Sequence, residues 1–340
     1  MKLFDFEEEC RIARAALKKE YALGQIIGRS KVVQEVRANI ERVATCDVNV
    51  LLCGESGTGK ELAARAIHYL GPRSGKPFIP VSCAAIPDSL MENELWGHAR
   101  GAFTGARLQH SGLVREAEGG TLFLDEISAI TPYTQAKLLR FLQDNEYRPL
   151  GDTRLHRADV RVIAATNRNL CELVQHGSFR DDLYYRLKIV TLEIAPLRER
   201  KQDIPLLVHY FVHKYAKEYG KTVVELTNDA MQALLSYSWP GNIRELENKI
   251  QEMIVLSTTS VVGVDDLELP TGKEEVPEGE LEHFKTAKSR IISAFEKNYL
   301  IRLLTEYRGD VVRAARRAGK SRTSLWNLLK KYDLSPKAFR

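Results

Sequence analysis

Short apolar runs alternate with segments of helical period between residues 27 and 195. The runs are VNVLLC, PFIPVSC, GTLFLDE and VRVIAATN, and the helical segments include ELAARAIHYL and TQAKLLRFLQ. The runs show little in–out alternation, as expected of strands buried on both faces, so they predict a mostly parallel sheet covered by helices. Past Pro196 the strand pattern stops. IPLLVHYFVHKYAKEYG, TNDAMQALLSY and NIRELENKIQEMIVL have helical spacing, and SWPGN breaks the chain before Asn242, which is placed to cap the last of them. An α/β domain over 23–195 and a smaller all-helical domain over 196–257 follow from this pattern. Residues 258–282 mix Gly, Pro and acids without sustained period and read as a linker. Beyond them, FKTAKSRIISAFEKNYLIRLLTEY predicts a long helix. DVVRAARRA and SRTSLWNLLKKY predict two short helices in a terminal domain over 283–340. Residues 1–22 read as a charged linker helix or coiled-coil stub, with no regulatory domain before it.

Composition narrows the class. A chain of 340 residues, 44% hydrophobic and 28% charged, is expected to be a soluble protein of two or three domains. It has no apolar run of about 18 residues and no basic start followed by an apolar stretch, so neither a membrane helix nor a secretory signal is expected, and the location should be cytoplasmic. Its five cysteines lack zinc-type spacing and read as reduced, mostly buried side chains. Charge is uneven: residues 309–340 hold nine Lys/Arg against two Asp/Glu, which points to a polyanion partner for that end.

GESGTGKE follows the strand VLLC and opens the helix ELAARAI, the setting of a phosphate loop. Gly54, Gly57 and Gly59 let backbone N–H groups converge on phosphate oxygens, and Lys60 reaches the β and γ positions of ATP. Ile27, Glu55, Ser56, Thr58 and Glu61 complete the candidate nucleotide contacts of this region. Glu61 stands where the general motif places a hydroxyl for Mg²⁺, so the metal must depend more on water, phosphates and a second acidic site. GGTLFLDE supplies that site: Asp125 can orient Mg²⁺ through its water shell and Glu126 can polarise the attacking water, although paired acids at a strand end also cap a following helix. Thr166 and Asn167 close the strand of AATN. They hold the lytic water or sense the terminal phosphate, which requires that strand to lie beside the one ending at Asp125, or else bond to backbone. Arg180, Arg186 and Arg244 are candidates for charge against the transition state or, alternatively, surface ion pairs.

Two further stretches stand out. In GHARGAFTGARLQHSG, Gly97, Gly101 and Gly105 permit a sharp excursion that leaves Phe103 little local cover, so it either tucks inward or forms a surface for a partner. In the terminal domain, Val311, Ala314 and Ala315 can pack on Leu325 and Leu328, with Ala318 and Gly319 at the turn. Ser321 can then cap the second helix. Arg322, Thr323, Ser324 and Asn327 would face base edges and phosphates, and Lys330 and Lys331 would face phosphate; the alternative is a solvated basic hairpin.

Taken together, GESGTGKE, GAFTGA, GGTLFLDE, VIAATN, FRDDLYYRL, WPGNIREL and the basic helix-turn-helix resemble the bacterial enhancer-binding proteins, the AAA+ activators of sigma-54 RNA polymerase, over roughly residues 23–334. The resemblance implies an α/β fold: an AAA+ P-loop ATPase core, a helical lid subdomain and a C-terminal all-α Fis-type domain, with ATP and Mg²⁺ as cofactors. It implies dimers assembling into a hexameric or heptameric ring, with Arg180 and Arg186 as trans-acting arginines and Arg244 as the lid sensor. The loop Gly101, Ala102, Phe103, Thr104, Gly105 and Ala106 would contact sigma-54, copies of Phe103 and Thr104 forming a collar around the ring. Glu61 is usual in the family. Ser82 departs from a common Asn, and Trp96 and Ala99 from a common Phe and Glu. The segment 284–307 would supply dimer contacts for binding a roughly palindromic enhancer site. Members often carry an N-terminal receiver, as in two-component systems, or a ligand-sensing domain. The expected function is ATP-driven remodelling of the closed promoter complex; the alternative is a DNA-binding regulator whose AAA+ module controls oligomerisation without acting on sigma-54.

Overall fold

The computed structural model describes residues 23–102, 108–221, 225–257, 261–267, 269, 296, 299–301, 303–307, 309–332 and 335–336. The chain divides into two compact units, Met1–Leu269 and Pro270–Arg340.

In the first unit the apolar runs become β1 (Val50–Cys53), β2 (Phe78–Ser82), β3 (Thr121–Asp125), β4 (Arg161–Thr166) and β5 (Val190–Glu193). They form one parallel sheet in the order β2-β3-β4-β1-β5. Every residue of β4 is buried, which explains its unbroken apolar character. The two faces divide the core. Val50, Leu52, Phe123, Ile163 and Ala165 pack with α1 (Lys31–Ala44) and α2 (Lys60–Leu70). Leu51, Leu122, Leu124, Val162 and Ala164 pack with α3 (Asp88–Trp96), α4 (Pro132–Asp144) and α5 (Asp181–Leu187). Strand β4 lies between β1 and β3, with Cys53 paired to Thr166 and Leu124 to Ala164. The carboxyl ends of three strands thereby converge, the usual place for a ligand in an open α/β sheet.

The lid contains α6 (Ile204–Glu218), α7 (Asn228–Ser236) and α8 (Asn242–Leu256) around Leu207, Phe211, Leu234, Trp239 and Ile250. Three details depart from the sequence reading. Glu225–Leu226 pairs in parallel with Val261–Val262, so the lid is not purely helical, and Val262 and Leu267 from the segment read as linker are buried in its core. Both strands are two residues long, too short to show a period. Asn242 does not cap α8: the N-cap is Gly241, whose N–H donates to the Glu245 carboxylate at 2.7 Å.

In the second unit, Leu300, Leu304, Ala314, Ala315, Leu325 and Leu329 form a separate core around α9 (Val311–Arg317) and α10 (Arg322–Lys331). Asp310 caps α9 and Ser321 caps α10. Gly319 turns the chain between them at φ 63°, where a side chain would be strained. No helix among the described residues is long and apolar enough to cross a membrane. Of the described cysteines, Cys83 is buried but Cys46 and Cys171 are exposed, contrary to the expectation of mostly buried thiols.

Trp239 is fully buried in the lid, and its indole N–H donates to the Leu234 carbonyl at 2.8 Å. Trp239→Ala removes both the ring and that bond and is expected to cost about 3–5 kcal/mol, measured as a lower urea midpoint of the helical circular dichroism signal.

Candidate active site

The phosphate loop runs from the end of β1 into α2. Lys60, the first residue of α2, is 8% exposed, and its Nζ donates to the Gly54 carbonyl at 2.8 Å and the Glu55 carbonyl at 2.9 Å. Burial lowers its pKa, opposed by the nearby Asp125 and Glu126 carboxylates. The ammonium is therefore held in the loop by neutral acceptors that a phosphate oxygen, carrying full charge, can replace.

The lid reaches directly into this loop. A side chain on Gly57 would meet the Gly241 carbonyl at 2.2 Å, so only glycine permits the approach, and the Ile243 N–H donates to the Gly57 carbonyl at 3.0 Å. Asn242 is fully buried at φ 55°. Its Nδ2 donates to the Ser56 carbonyl at 3.0 Å and to Glu55 Oε2 at 3.1 Å, and its Oδ1 accepts the Leu197 N–H at 2.8 Å. Arg198 grips the Glu55 carboxylate with both Nη atoms at 2.7 and 2.6 Å. Buried Arg200 donates to the Thr58 carbonyl at 3.0 Å. Arg244 lies at the loop edge, its Nη1 3.4 Å from Ser56 Oγ. Glu61 turns away from the loop, since its carboxylate pairs with Arg65 at 2.7 Å one helical turn on.

An apolar cavity of about 200 Å³ adjoins the loop, lined by Ile27, Val33, Ile194, Leu207, Phe211 and Ile243. It suits a flat base beside the phosphate loop. The segment bearing Ile27 is anchored by fully buried Asp203, which accepts the Arg29 N–H at 2.7 Å, the Ser30 N–H at 2.8 Å and the Ser30 hydroxyl at 2.6 Å. Asp203, Arg198, Arg200 and Asn242 all escaped the sequence reading as site residues. LRERKQD looks like solvated surface, and only their contacts with distant segments reveal their roles.

Asp125 and Glu126 close β3. The Glu126 N–H donates to Asp125 Oδ1 at 2.9 Å, and Glu126 adopts φ 53°, ψ 45°, a left-handed conformation costing about 1–3 kcal/mol for a side-chain-bearing residue. Neither acid caps the short turn Ile127–Ala129 by its side chain, which removes the capping alternative. Their hard carboxylate oxygens, within electrostatic range of Lys60, fit Mg²⁺, which binds through one or two carboxylates plus substrate phosphates. Strand β4 does lie beside β3, as the reading of AATN requires. The Thr166 hydroxyl bonds to the backbone of Arg168 at 3.0 Å in both directions, so its alternative of backbone bonding holds, whereas Asn167 is exposed. Ser82 pairs with Asp125 across the β2–β3 ladder, and no Ser82–Glu126 hydrogen bond is present among the described residues.

Arg180 and Arg186 sit apart from the phosphate loop in their contacts. Arg180 pairs with Asp182 at 2.7 Å, and Arg186 donates through Nε and Nη2 to the Leu142 carbonyl at 3.0 and 2.8 Å. Phe103, Thr104, Gly105 and Ala106 lie outside the described residues; Gly101 and Ala102 are described. At the base of that loop His98 and His110 exchange backbone hydrogen bonds of 2.9 and 3.0 Å, and the Leu150 N–H donates to the Gly97 carbonyl at 2.9 Å. Buried Trp96 packs against Phe141 and Tyr147, with ring centroids 5.6 and 6.1 Å away.

On α10, Ser321, Arg322, Thr323, Ser324, Asn327, Lys330 and Lys331 are all exposed. Lys331 is already paired to Glu296 at 3.0 Å, which makes it a weaker phosphate contact than Lys330. Trp326, 41% exposed on the same helix, is an additional candidate contact.

Comparison with known proteins accords with this arrangement. The Sigma-54 interaction domain family matches residues 26–193, the AAA+ ATPase lid domain family residues 198–283, and the Fis family of bacterial regulatory proteins residues 291–332. Nitrogen fixation protein AnfA of Azotobacter vinelandii is 41% identical over 335 residues, which are 98% of this chain and 62% of that protein. Transcriptional regulatory protein GlrR of Escherichia coli K12 is 43% identical over 318 residues, 93% of this chain and 69% of that protein. The chain belongs to the bacterial enhancer-binding protein family. Its fold, an α/β AAA+ core with a helical lid and a C-terminal helix-turn-helix domain, is shared with NtrX from Brucella abortus, solved in complex with ATP and with ADP. Each complex has a TM-score of 0.68 at 33% identity, over 95% of this chain and 72% of that one. The chain thus spans only part of the length of these family members.

Within this enhancer-binding protein, hydrogen bonds from Arg198 and then Asn242 hold the Glu55 carboxyl down at about 2. A depressed carboxyl contributes stability above its unfolded pKa and loses it as pH falls toward the folded value. The melting temperature of the wild type should therefore exceed that of Glu55→Gln by a constant margin above about pH 5. That margin should shrink between pH 4.5 and 2, read by calorimetry across that range.

Proposed function

We propose that this chain is an ATP-hydrolysing transcriptional activator that binds enhancer-like DNA through α10 and remodels sigma-54 holoenzyme as a ring. The observation that carries the reading is the meeting of Lys60, Asp125, Glu126 and the lid's Arg244 at one phosphate loop, beside an apolar slot that suits a base. Backbone N–H groups of residues 54–60 and Lys60 would bind the phosphates, and Ile27 and its neighbours the base. Asp125 and Glu126 would hold Mg²⁺, which supplies charge neutralisation at the β and γ oxygens when bound. Glu126 would accept a proton from the water whose oxygen bonds to the γ-phosphorus as the bond to the β–γ bridging oxygen breaks. Asn167, exposed at the end of β4, would orient that water.

Arg180, at the N-cap of α5, and Arg186, on its surface, would complete the site of a neighbouring subunit, while the loop of residues 101–106 would engage sigma-54. The family match to the sigma-54 interaction domain supports the partner, and the Fis match together with the exposed polar face of α10 supports DNA as the ligand of the second unit. Paired terminal domains on DNA would raise the local concentration of ring-forming domains.

Glu126→Gln should bind ATP with nearly unchanged affinity and lose about 10²–10⁴-fold in turnover, as measured by equilibrium binding alongside phosphate release. In the wild type, ATPase activity per chain should rise with protein concentration, and Arg180→Ala or Arg186→Ala should flatten that rise without changing the melting temperature. Thr104→Ala should hydrolyse ATP yet fail to open a sigma-54 promoter. Full activity independent of concentration would exclude the shared site, and normal promoter opening by Thr104→Ala would reject the loop assignment in favour of a regulator that does not remodel sigma-54.

A further inference from the structure

His209 and His213 lie one turn apart on the solvent face of α6. Their Nε2 atoms share a hydrogen bond of 3.1 Å, one ring donating and the other accepting, and their ring centroids are 4.3 Å apart. The opposite face of the helix is pinned by buried Leu207, Val208, Phe211 and Val212, so the backbone that presents the two imidazoles is fixed by the lid core. Two imidazole nitrogens bound to one ion at about 2.0–2.1 Å, at square or tetrahedral angles, are roughly 2.9–3.4 Å apart. The observed separation lies within that interval before any ion is present.

We propose that His209 and His213 form a chelating site for a divalent transition ion of the imidazole-preferring kind, such as Zn²⁺ or Cu²⁺, one per chain. An ion would replace the hydrogen bond between the rings: with both rings carrying their proton at Nδ1, both Nε2 lone pairs face the ion, and the remaining positions are open to water. No group of three or more metal-ligating side chains occurs among the described residues, so this is a two-ligand surface chelate rather than a closed structural site. Lys217 stands one turn beyond His213, and Lys214 is engaged by Glu247 at 2.7 Å, so no carboxylate of this turn draws in hard cations. Mg²⁺ prefers oxygen ligands and should not compete. The two histidines flank Tyr210 and Phe211, both of which line the apolar slot, so the chelate would brace the turn of α6 that forms one wall of the base site.

The full chain, with saturating Mg²⁺, can be titrated with Cu²⁺ and followed by electron paramagnetic resonance, and separately with Zn²⁺ by calorimetry. His209→Asn, His213→Asn and the double variant serve as comparisons, and both positions are exposed, so the fold should persist. The wild type should show one site more than the double variant, with nitrogen splitting from two imidazoles. Each single variant should show one imidazole at that site and at least about tenfold weaker binding. Equal stoichiometry and affinity in wild type and double variant would overturn the proposal, as would a spectrum unchanged by either substitution. Because ATP binding is not the readout, the outcome is independent of whether the chain hydrolyses ATP.

Discussion

The structure depends on one buried amide. Asn242 has no exposed surface, so its donors and acceptor must find partners within the protein, and it finds them on both sides of the boundary between sheet and lid. Its left-handed backbone is one that asparagine tolerates better than most side-chain-bearing residues, and the hydrogen bonds to Glu55, Ser56 and Leu197 hold it there. With Ile243 bonded to Gly57 and Arg200 to Thr58, the phosphate loop and the start of α8 behave as one body. A phosphate that reshapes the loop must therefore move the lid, and a lid displaced by a neighbouring chain must reshape the loop.

The charges around this body are held ready at small cost. Lys60 rests on two carbonyls that are neutral, so exchanging them for phosphate oxygens is electrostatically downhill. Glu126 stores backbone strain at the point where the proposed reaction would need an accurately aimed carboxylate. Arg180 and Arg186 are occupied within their own chain, but by an exposed carboxylate and a single carbonyl. An exposed ion pair of that kind is worth about 0–1 kcal/mol, so in the proposed ring a nucleotide on an adjacent subunit would outcompete it.

What could be read from the sequence was what is encoded locally. The strands announced themselves because β4 is buried at every position, and the phosphate loop because glycine spacing and Lys60 are set by contacts within eight residues. The α10 cap was legible for the same reason: Ser321 acts three residues away. Interactions made over long sequence distances were misread. Asn242 follows Pro-Gly and has cap chemistry, yet its side chain is drawn to Glu55, 187 residues earlier. Asp203 and Arg200 look like a charged turn until segments about 29–58 and 200–203 meet and bury them. Lys331 read as a free phosphate contact because Glu296 lies 35 residues before it. Val262 and Leu267 are single apolar residues among acids, and no periodicity could assign them to the lid core.

The same principle of packed, undeformable contacts bears on how the chemistry proposed at β3 would reach the base of the loop of residues 101–106. Strand β2 pairs residue for residue with β3, ending at Ser82 opposite Asp125, and α3 begins six residues later and ends at Trp96. Trp96 is wedged between Phe141 and Tyr147, and directly after it Gly97 is so close to the returning chain that a side chain would sit 2.2 Å from the His110 carbonyl. The Trp96 indole N–H is buried without a partner, a penalty of about 1–3 kcal/mol that a phenylalanine would avoid. What the larger ring provides is contact on two aromatic faces at once, which leaves the end of α3 little freedom to slide. A displacement at the ends of β2 and β3 therefore meets packed helix and paired backbone all the way to Gly97 and His98, at the base of that loop.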